Sequence, residues 1–438
     1  MTSLPAPADG ATRHPSPSTS SSPLVTRTVP LTLDRLESLL AYLPAGPATE
    51  LFSWVRRGEG MVGWGRALEQ RVSGPDRFGE LRRWWGEVTA GAIERNEVGI
   101  PGTGPVAFGS IAYAGSSPAG ATLVVPSVVL GRRGDRAWLT TTAVGGELPF
   151  GADPVLGAEA LPPEAVTFAD GAVSPAQWAG AVAEAVRRIT AGELDKVVLA
   201  RDLDVRSGAA LDVRWLLGRL ADRYHNTWVF SVDGLVGATP EMLVRSEKGL
   251  ITSRVLAGTI RRSGDDEHDL ALAGSLARSS KDLEEHEYAV RSVADALRPH
   301  CSSMNVPETP FVLHLSNVMH LATDVTGVLN DGASSLALAE ALHPSAAVCG
   351  TPTARADEVI TELEGMDRGR YAGPVGWIDA SGDGEWGIAL RCGSVDPVDP
   401  SRMRLYAGCG IVAGSDPEAE VAESDAKLIP MRDALTTP

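Results

Sequence analysis

Two short stretches far apart in this chain echo each other: Gly104-Pro105-Val106-Ala107-Phe108 and Gly373-Pro374-Val375-Gly376-Trp377. The first opens a strand-like region. Val106–Tyr113, Ala121–Leu130 and Ala137–Thr142 are apolar or β-branched runs, broken by the turn sequences Gly115-Ser116-Ser117-Pro118 and Gly131-Arg132-Arg133-Gly134. The second leads through a Gly-rich turn at 381–384 into another strand-like run, Trp386–Cys392. A repeated layout of this kind points to an internal duplication of a β-rich unit. Helices are expected between the two blocks. Ser174 and Pro175 make an N-cap and first-turn pair, followed by Trp178, Val182, Val186 and Ile189 on one stripe and Gly192 as a stop. Asp282 to Leu297 has apolar residues at helical spacing, and Ser415-Asp416-Pro417 opens a last helix through Ala419–Leu428. Hairpin-linked strands with helices set between them give an α+β class.

Composition narrows the functions open to such a fold. Residues 1–28 are rich in Pro, Ser, Thr and Ala, with little to bury, and are expected to form a disordered tail. No apolar run approaches the roughly 20 residues needed to cross a bilayer. The N-terminus lacks the basic and apolar segments of a secretory signal. The four cysteines, Cys301, Cys349, Cys392 and Cys409, form no C-x-x-C pair. That fits a reducing cytoplasm better than a disulfide framework or a zinc ribbon. A formal net charge of -17 would repel a phosphate backbone, so nucleic acid is not an expected partner. Of 39 basic residues only four are lysines: Lys196, Lys248, Lys281 and Lys427. Arginine stays protonated, whereas a desolvated lysine can give up its proton, so a rare lysine in an apolar setting is a candidate for chemistry. Lys248, in a turn-like sequence, is not.

Glu420, Glu423 and Lys427 fall at i, i+3 and i+7 and project from one helical face. Taken alone, this helix is better read as an ordinary solvated face. Asp282 and Glu285 repeat the spacing beside Lys281 on a second helix. Carboxylates from two facing helices would repel unless a cation lay between them, and hard oxygen donors suit Mg²⁺. In Lys196-Val197-Val198-Leu199-Ala200, strand alternation puts Lys196, Val198 and Ala200 on one side. Such a lysine is a candidate general base, or a strand-edge lysine reaching solvent. Gly258, before Thr259, and Gly408 and Gly410 lie at glycine-rich strand ends, where exposed backbone N–H groups could hold a carboxylate. Arg391 is a natural bidentate partner for the same anion.

Together these segments resemble the chorismate-utilising enzymes. The resemblance runs in order through Lys196–Arg201, Gly237-Ala238-Thr239-Pro240-Glu241, Ala257-Gly258-Thr259 and Ser280-Lys281-Asp282-x-x-Glu285-His286. It continues through Leu342–Gly350, Gly376-Trp377-Ile378-Asp379, Gly384-Glu385-Trp386 and Gly408–Val412, and closes with Glu420-x-x-Glu423-x-x-x-Lys427. It covers residues 175–430, with the earlier part matching only in strand pattern. The resemblance implies one large catalytic domain over 29–438, with a duplicated antiparallel β-sheet core flanked by helices. It further implies that Glu285 and Glu423 hold Mg²⁺ with Asp282 and Glu420 close by. Gly258, Thr259, Arg391, Gly408, Gly410 and Lys427 would bind the substrate.

Within the family the expected activity is isochorismate synthesis, with Lys196 as the base for water and Glu241 as the acid for the departing hydroxyl. Their demands are opposite, one neutral and the other protonated. Thr239-Pro240-Glu241 reads as a helix start, which would favour an ionised glutamate. Anthranilate-forming relatives carry glutamine where Lys196 stands, so no glutaminase subunit is expected. Aminodeoxychorismate-forming relatives carry lysine where Ala257 stands. Salicylate synthases, which go on to eliminate pyruvate, tend to have threonine near Ala347-Val348. A non-catalytic chorismate-binding protein would have no use for both Lys196 and Glu241. A monomer acting on chorismate, without membrane attachment, completes the expectation.

Overall fold

A computed structural model describes residues 22–33, 38–146, 154–314 and 318–436; the side chains of Lys281 and Glu285 lie outside the described set. Its strands form two sheets, of 13 and 10 strands. The larger sheet reads the same way outward from its centre in both directions. On one side come Leu51–Arg56, Glu59–Trp64, Val128–Arg133, Arg136–Val144 and Leu24–Leu31. On the other come Trp228–Val232, Leu235–Thr239, Cys392–Val395, Arg402–Ile411 and Lys196–Arg206. In the smaller sheet Val106–Ile111 lies beside Pro374–Asp379. These two strands carry the echoing sequences and pair antiparallel, with Phe108 opposite Trp377. The expected duplication is therefore visible as a repeated strand order, and the α+β class holds.

The packing follows from strand alternation. Along Leu51–Arg56, Phe52 and Trp54 enter the core shared by the two sheets, where they meet Phe108 and Phe230. Leu51 and Val55 face the other way, into a second core with Leu216, Leu217 and Leu220 of the helix Val213–Arg223 and Leu428 and Met431 of the last helix. Each large apolar side chain buried this way is worth about 1.5–3 kcal/mol. On the far side of the smaller sheet, the helix Ser280–Leu297 lies along the strand Leu250–Arg261. Among the described residues no helix is long and apolar enough to cross a membrane.

Three expectations need correction. The tail drawn to residue 28 runs too far, because Leu24–Leu31 is a strand between Arg136–Val144 and Ile93–Asn96, with Leu24, Val25, Thr26 and Thr28 buried. Its β-branched residues decide the outcome over the Pro- and Ser-rich sequence before it; residues 1–21 lie outside the described set. Ala121–Leu130 is two strands, Ala121–Val125 and Val128–Arg133, split at Pro126 where the chain leaves one sheet for the other. The last helix runs on from Pro417 to Leu435 and carries Pro430 in its interior. Elsewhere local signals act as expected: Ser174 and Gln177 form a reciprocal capping box on the helix Pro175–Thr190.

Candidate active site

The site is built on the pairing of Lys196–Arg206 with Arg402–Ile411. In that register Val198 lies opposite Gly410 and Ala200 opposite Gly408, so both glycines share the face carrying Lys196. Lacking side chains, they leave a hollow that Lys196, Val198, Gly408 and Gly410 all line. Gly408 cannot readily be larger, since a Cβ there would stand 3.0 Å from the Tyr371 hydroxyl. The cavity above this floor has a volume of about 220 Å³.

Two neighbouring crossovers between the sheets form another wall. Thr239-Pro240-Glu241 carries the chain from Leu235–Thr239 into Met242–Glu247, so the expected helix start is instead a strand-to-strand passage. No helix dipole acts on Glu241 from this segment, and the conflict raised by the sequence disappears. The second crossover, Ala389–Arg391, returns the chain to the larger sheet. The two are stitched together: Ile388 N donates to Glu241 O at 3.1 Å and Ala238 N to Arg391 O at 3.2 Å. Arg391 adopts φ 50°, a left-handed backbone unusual for a residue with a side chain. Both Glu241 and Arg391 line the cavity.

The electrostatics divide the groups by role. Burial pushes the Glu241 carboxyl up to about 7, against the pull of Lys196, Arg391 and Lys427. Burial lowers the Arg391 guanidinium from its ordinary value. His320 is pushed down to about 3, chiefly by burial and then by Arg391 and Lys427, and is a neutral imidazole whose Nδ1 lies 3.0 Å from Thr259 Oγ1. Burial works against the Lys427 ammonium, but Cys409 and Glu423 more than offset it and its pKa rises. Lys427 Nζ donates to Gly408 O at 2.9 Å and pairs with Glu423 at 2.7 Å, so it is tied to the glycine floor. Burial raises and Lys427 lowers the pKa of Glu423; the lowering wins, and Glu423 is an anion.

The two acidic helices do meet at one cavity. Asp282 lines it from the helix Ser280–Leu297, and Glu420 and Glu423 line it from the last helix. Asp282 comes close because Gly258, at φ 73°, makes a bulge in the middle of its strand rather than the strand end expected. A Cβ on Gly258 would stand 3.1 Å from the Asp282 Cβ. Carboxylate oxygens of Glu420 and Glu423 and the Cys409 sulfur all lie within 4.8 Å of one another. Two carboxylates facing an open cavity fit a hard divalent ion such as Mg²⁺. Glu420, expected only nearby, is thus placed with Glu423, while the Glu285 side chain falls outside the described residues.

Every other residue expected in the catalytic or substrate-binding set, Thr259 included, lines this one cavity. Reasoning on the sequence missed His320, Arg368, Tyr371 and Tyr406, which line it too. His320 could have been noticed as the lone polar group in Val318-Met319-His320-Leu321-Ala322. The stacked pair Tyr371 and Tyr406, 5.2 Å apart, joins segments that nothing local connects.

Residues 17–147 and 157–436 match the family described as chorismate binding enzymes. Isochorismate synthase DhbC of Bacillus subtilis is 40% identical over 273 residues, covering 60% of this chain and 68% of its own. Isochorismate synthase MenF of the same organism is 32% identical over 406 residues, covering 86% and 85%. A solved structure of a candidate 2,3-dihydroxybenzoate-specific isochorismate synthase, DhbC from Bacillus anthracis, superposes with a TM-score of 0.73. That structure is 32% identical, and the match covers 91% of this chain and 98% of that one.

Proposed function

This chain belongs to the chorismate-binding enzyme family, in its isochorismate synthase subgroup, and on that premise we propose that it interconverts chorismate and isochorismate with Mg²⁺. In the forward direction water forms a bond to C2 of the ring, the two ring double bonds shift, and the C4 hydroxyl departs. Lys196, as the neutral amine, takes the proton from the attacking water. Glu241, as the neutral acid, gives a proton to the departing hydroxyl, which leaves as water. The return of each group to its starting state completes an isomerisation with no net change in atoms.

One observation carries the reading: Glu241 is buried beside the cavity that Lys196 also lines, with a carboxyl held at about 7 rather than in the usual carboxylate range. An acid tuned near the working pH is suited to protonating a poor leaving group. Arg391 and the backbone at Gly258, Gly408 and Gly410 would receive the substrate's carboxylates, and Thr259 would orient against His320. Mg²⁺ would be held by Glu423 and Glu285, the expected pair, with Glu420 beside Glu423 and Asp282 close by, and when bound it would neutralise the ring carboxylate. Local cations of this kind let an acidic protein take a dianion. Ala347 and Val348 give the cavity an apolar edge, which supports stopping at isochorismate rather than eliminating pyruvate.

The test is to incubate the purified protein with chorismate and Mg²⁺, separate the mixture by chromatography and assay pyruvate. A mixture of chorismate and isochorismate is expected. Stoichiometric pyruvate would reassign the enzyme to salicylate formation, and unchanged chorismate would leave only a binding protein.

A further inference from the structure

The strand that carries Lys196 is paired along one edge with Arg402–Ile411, but its other edge is interrupted. There it pairs with Gly350–Thr351 at residues 196–197 and with Thr167–Asp170 at residues 203–206. Between these, three side chains stand in for a missing strand. Glu364 Oε1 accepts from Ala200 N at 2.7 Å, Arg368 Nη2 donates to Val198 O at 2.7 Å, and Trp178 Nε1 donates to Ala200 O at 3.0 Å. Arg368 also donates through Nη1 to Val348 O at 2.8 Å. One guanidinium therefore grips both the lysine strand and the segment whose Ala347 and Val348 edge the cavity.

Glu364 and Arg368 are paired to each other through several contacts, one of them Nε to Oε2 at 2.9 Å, and are only 2% and 3% exposed. The guanidinium lies over the Tyr113 ring at 4.3 Å. A buried ion pair is a poor stabiliser compared with apolar side chains of the same size, so stability alone does not explain its place here. Its geometry does: the pair supplies partners to three backbone groups that line up beside the catalytic strand. Arginine suits this because its planar fork meets two carbonyls and a carboxylate at once, where a lysine could not.

We infer that Glu364 and Arg368 are positioning residues for the reaction, a clasp that sets Lys196 against the Ala347–Val348 edge of the cavity. The inference rests on the reading of Lys196 as the base. Substrate anchoring falls to Arg391, Lys427 and the glycines on other segments, so loosening the clasp acts on turnover rather than on binding.

The experiment compares wild-type enzyme with the double variant Glu364→Gln/Arg368→Met, which removes both buried charges together, and with Glu364→Asp, which keeps the charges but shortens the reach to Ala200. For each, thermal unfolding is recorded, and kcat and KM for chorismate are measured with saturating Mg²⁺ well below that variant's own Tm. The expected result is a kcat lowered at least about tenfold with KM changed less than about threefold, because small misplacement of a reacting group costs rate more than affinity. A folded variant with wild-type kcat overturns the inference, as does a raised KM at unchanged kcat. Failure of both variants to fold would make the pair a folding element and overturn it equally. Wild-type enzyme that makes no isochorismate would instead sink the reading of Lys196.

Discussion

Lys196 and Glu241 line one cavity, and Lys196 comes first of the three basic neighbours, with Arg391 and Lys427, that pull the Glu241 pKa down against the larger push of burial. Lys196 starts a long strand, and Glu241 lies at a passage between the two sheets. Their shared cavity couples them, and both charge states matter for the proposed reaction.

The Glu241 carboxyl at about 7 makes a pH prediction with a definite sign. Its folded pKa lies above the unfolded value, so the neutral form is favoured by folding, and that advantage is lost as pH rises through about 7. Above this the fold must hold a buried carboxylate. Glu241→Gln, which imitates the neutral acid, should raise Tm at pH 8.5 by several degrees and leave it nearly unchanged at pH 4. Scanning calorimetry at the two pH values checks this; an equal shift at both would mean that Glu241 is not buried as an acid.

The same variant should lose turnover. Glu241→Gln cannot donate a proton to the leaving hydroxyl, and kcat should fall at least ~100-fold. In the wild type, kcat should decline above about pH 7 as the acid ionises. A flat profile from pH 6 to 9 would remove Glu241 from the acid role.

Lys196→Gln keeps a polar end on a side chain one bond shorter but removes the base. A loss of at least ~100-fold in kcat is expected, with KM for chorismate little altered, because the anion-binding groups lie elsewhere. Steady-state kinetics decides it, and near-normal turnover would mean that another group handles the water.

Glu423→Ala should raise the Mg²⁺ concentration for half-maximal activity by at least about tenfold, by taking away one carboxylate of the expected ligand set. It also strips Lys427 of its ion-pair partner. A metal titration superposing on that of the wild type would take Glu423 out of the set.

Gly258→Ala tests the bulge that lets Asp282 approach. The left-handed backbone alone costs about 1–2 kcal/mol for a residue with a Cβ, and the contact with Asp282 adds to it. Lower Tm together with weaker Mg²⁺ activation is expected. Wild-type values for both would show that the strand relaxes freely at this point.

Local periodicity made part of the site readable. Lys196, Val198 and Ala200 share a face because strands alternate, and Glu420, Glu423 and Lys427 share one because helices turn every 3.6 residues. Those rules say which side chains point together, not which elements meet. That Asp282 reaches the cavity depends on a bulge at Gly258 and on two helices packing across different sheets. Thr239-Pro240-Glu241 misled for a related reason: Thr-Pro-Glu is as good a helix start as a strand crossover until the following residues find partners. The strand Leu24–Leu31 was hidden by the Pro- and Ser-rich composition before it. What Tyr371 stacks on, and which backbone groups the Glu364–Arg368 pair holds, are long-range features that no short window contains.

The measurement that bears most directly on the base-and-acid account is turnover of chorismate with Mg²⁺ in heavy-oxygen water, followed by mass spectrometry of the product. Isochorismate whose ring hydroxyl carries the heavy isotope, formed without pyruvate, is the predicted result. Unlabelled isochorismate would contradict the account, because the hydroxyl would then have moved within the substrate and neither Lys196 nor Glu241 would have handled water.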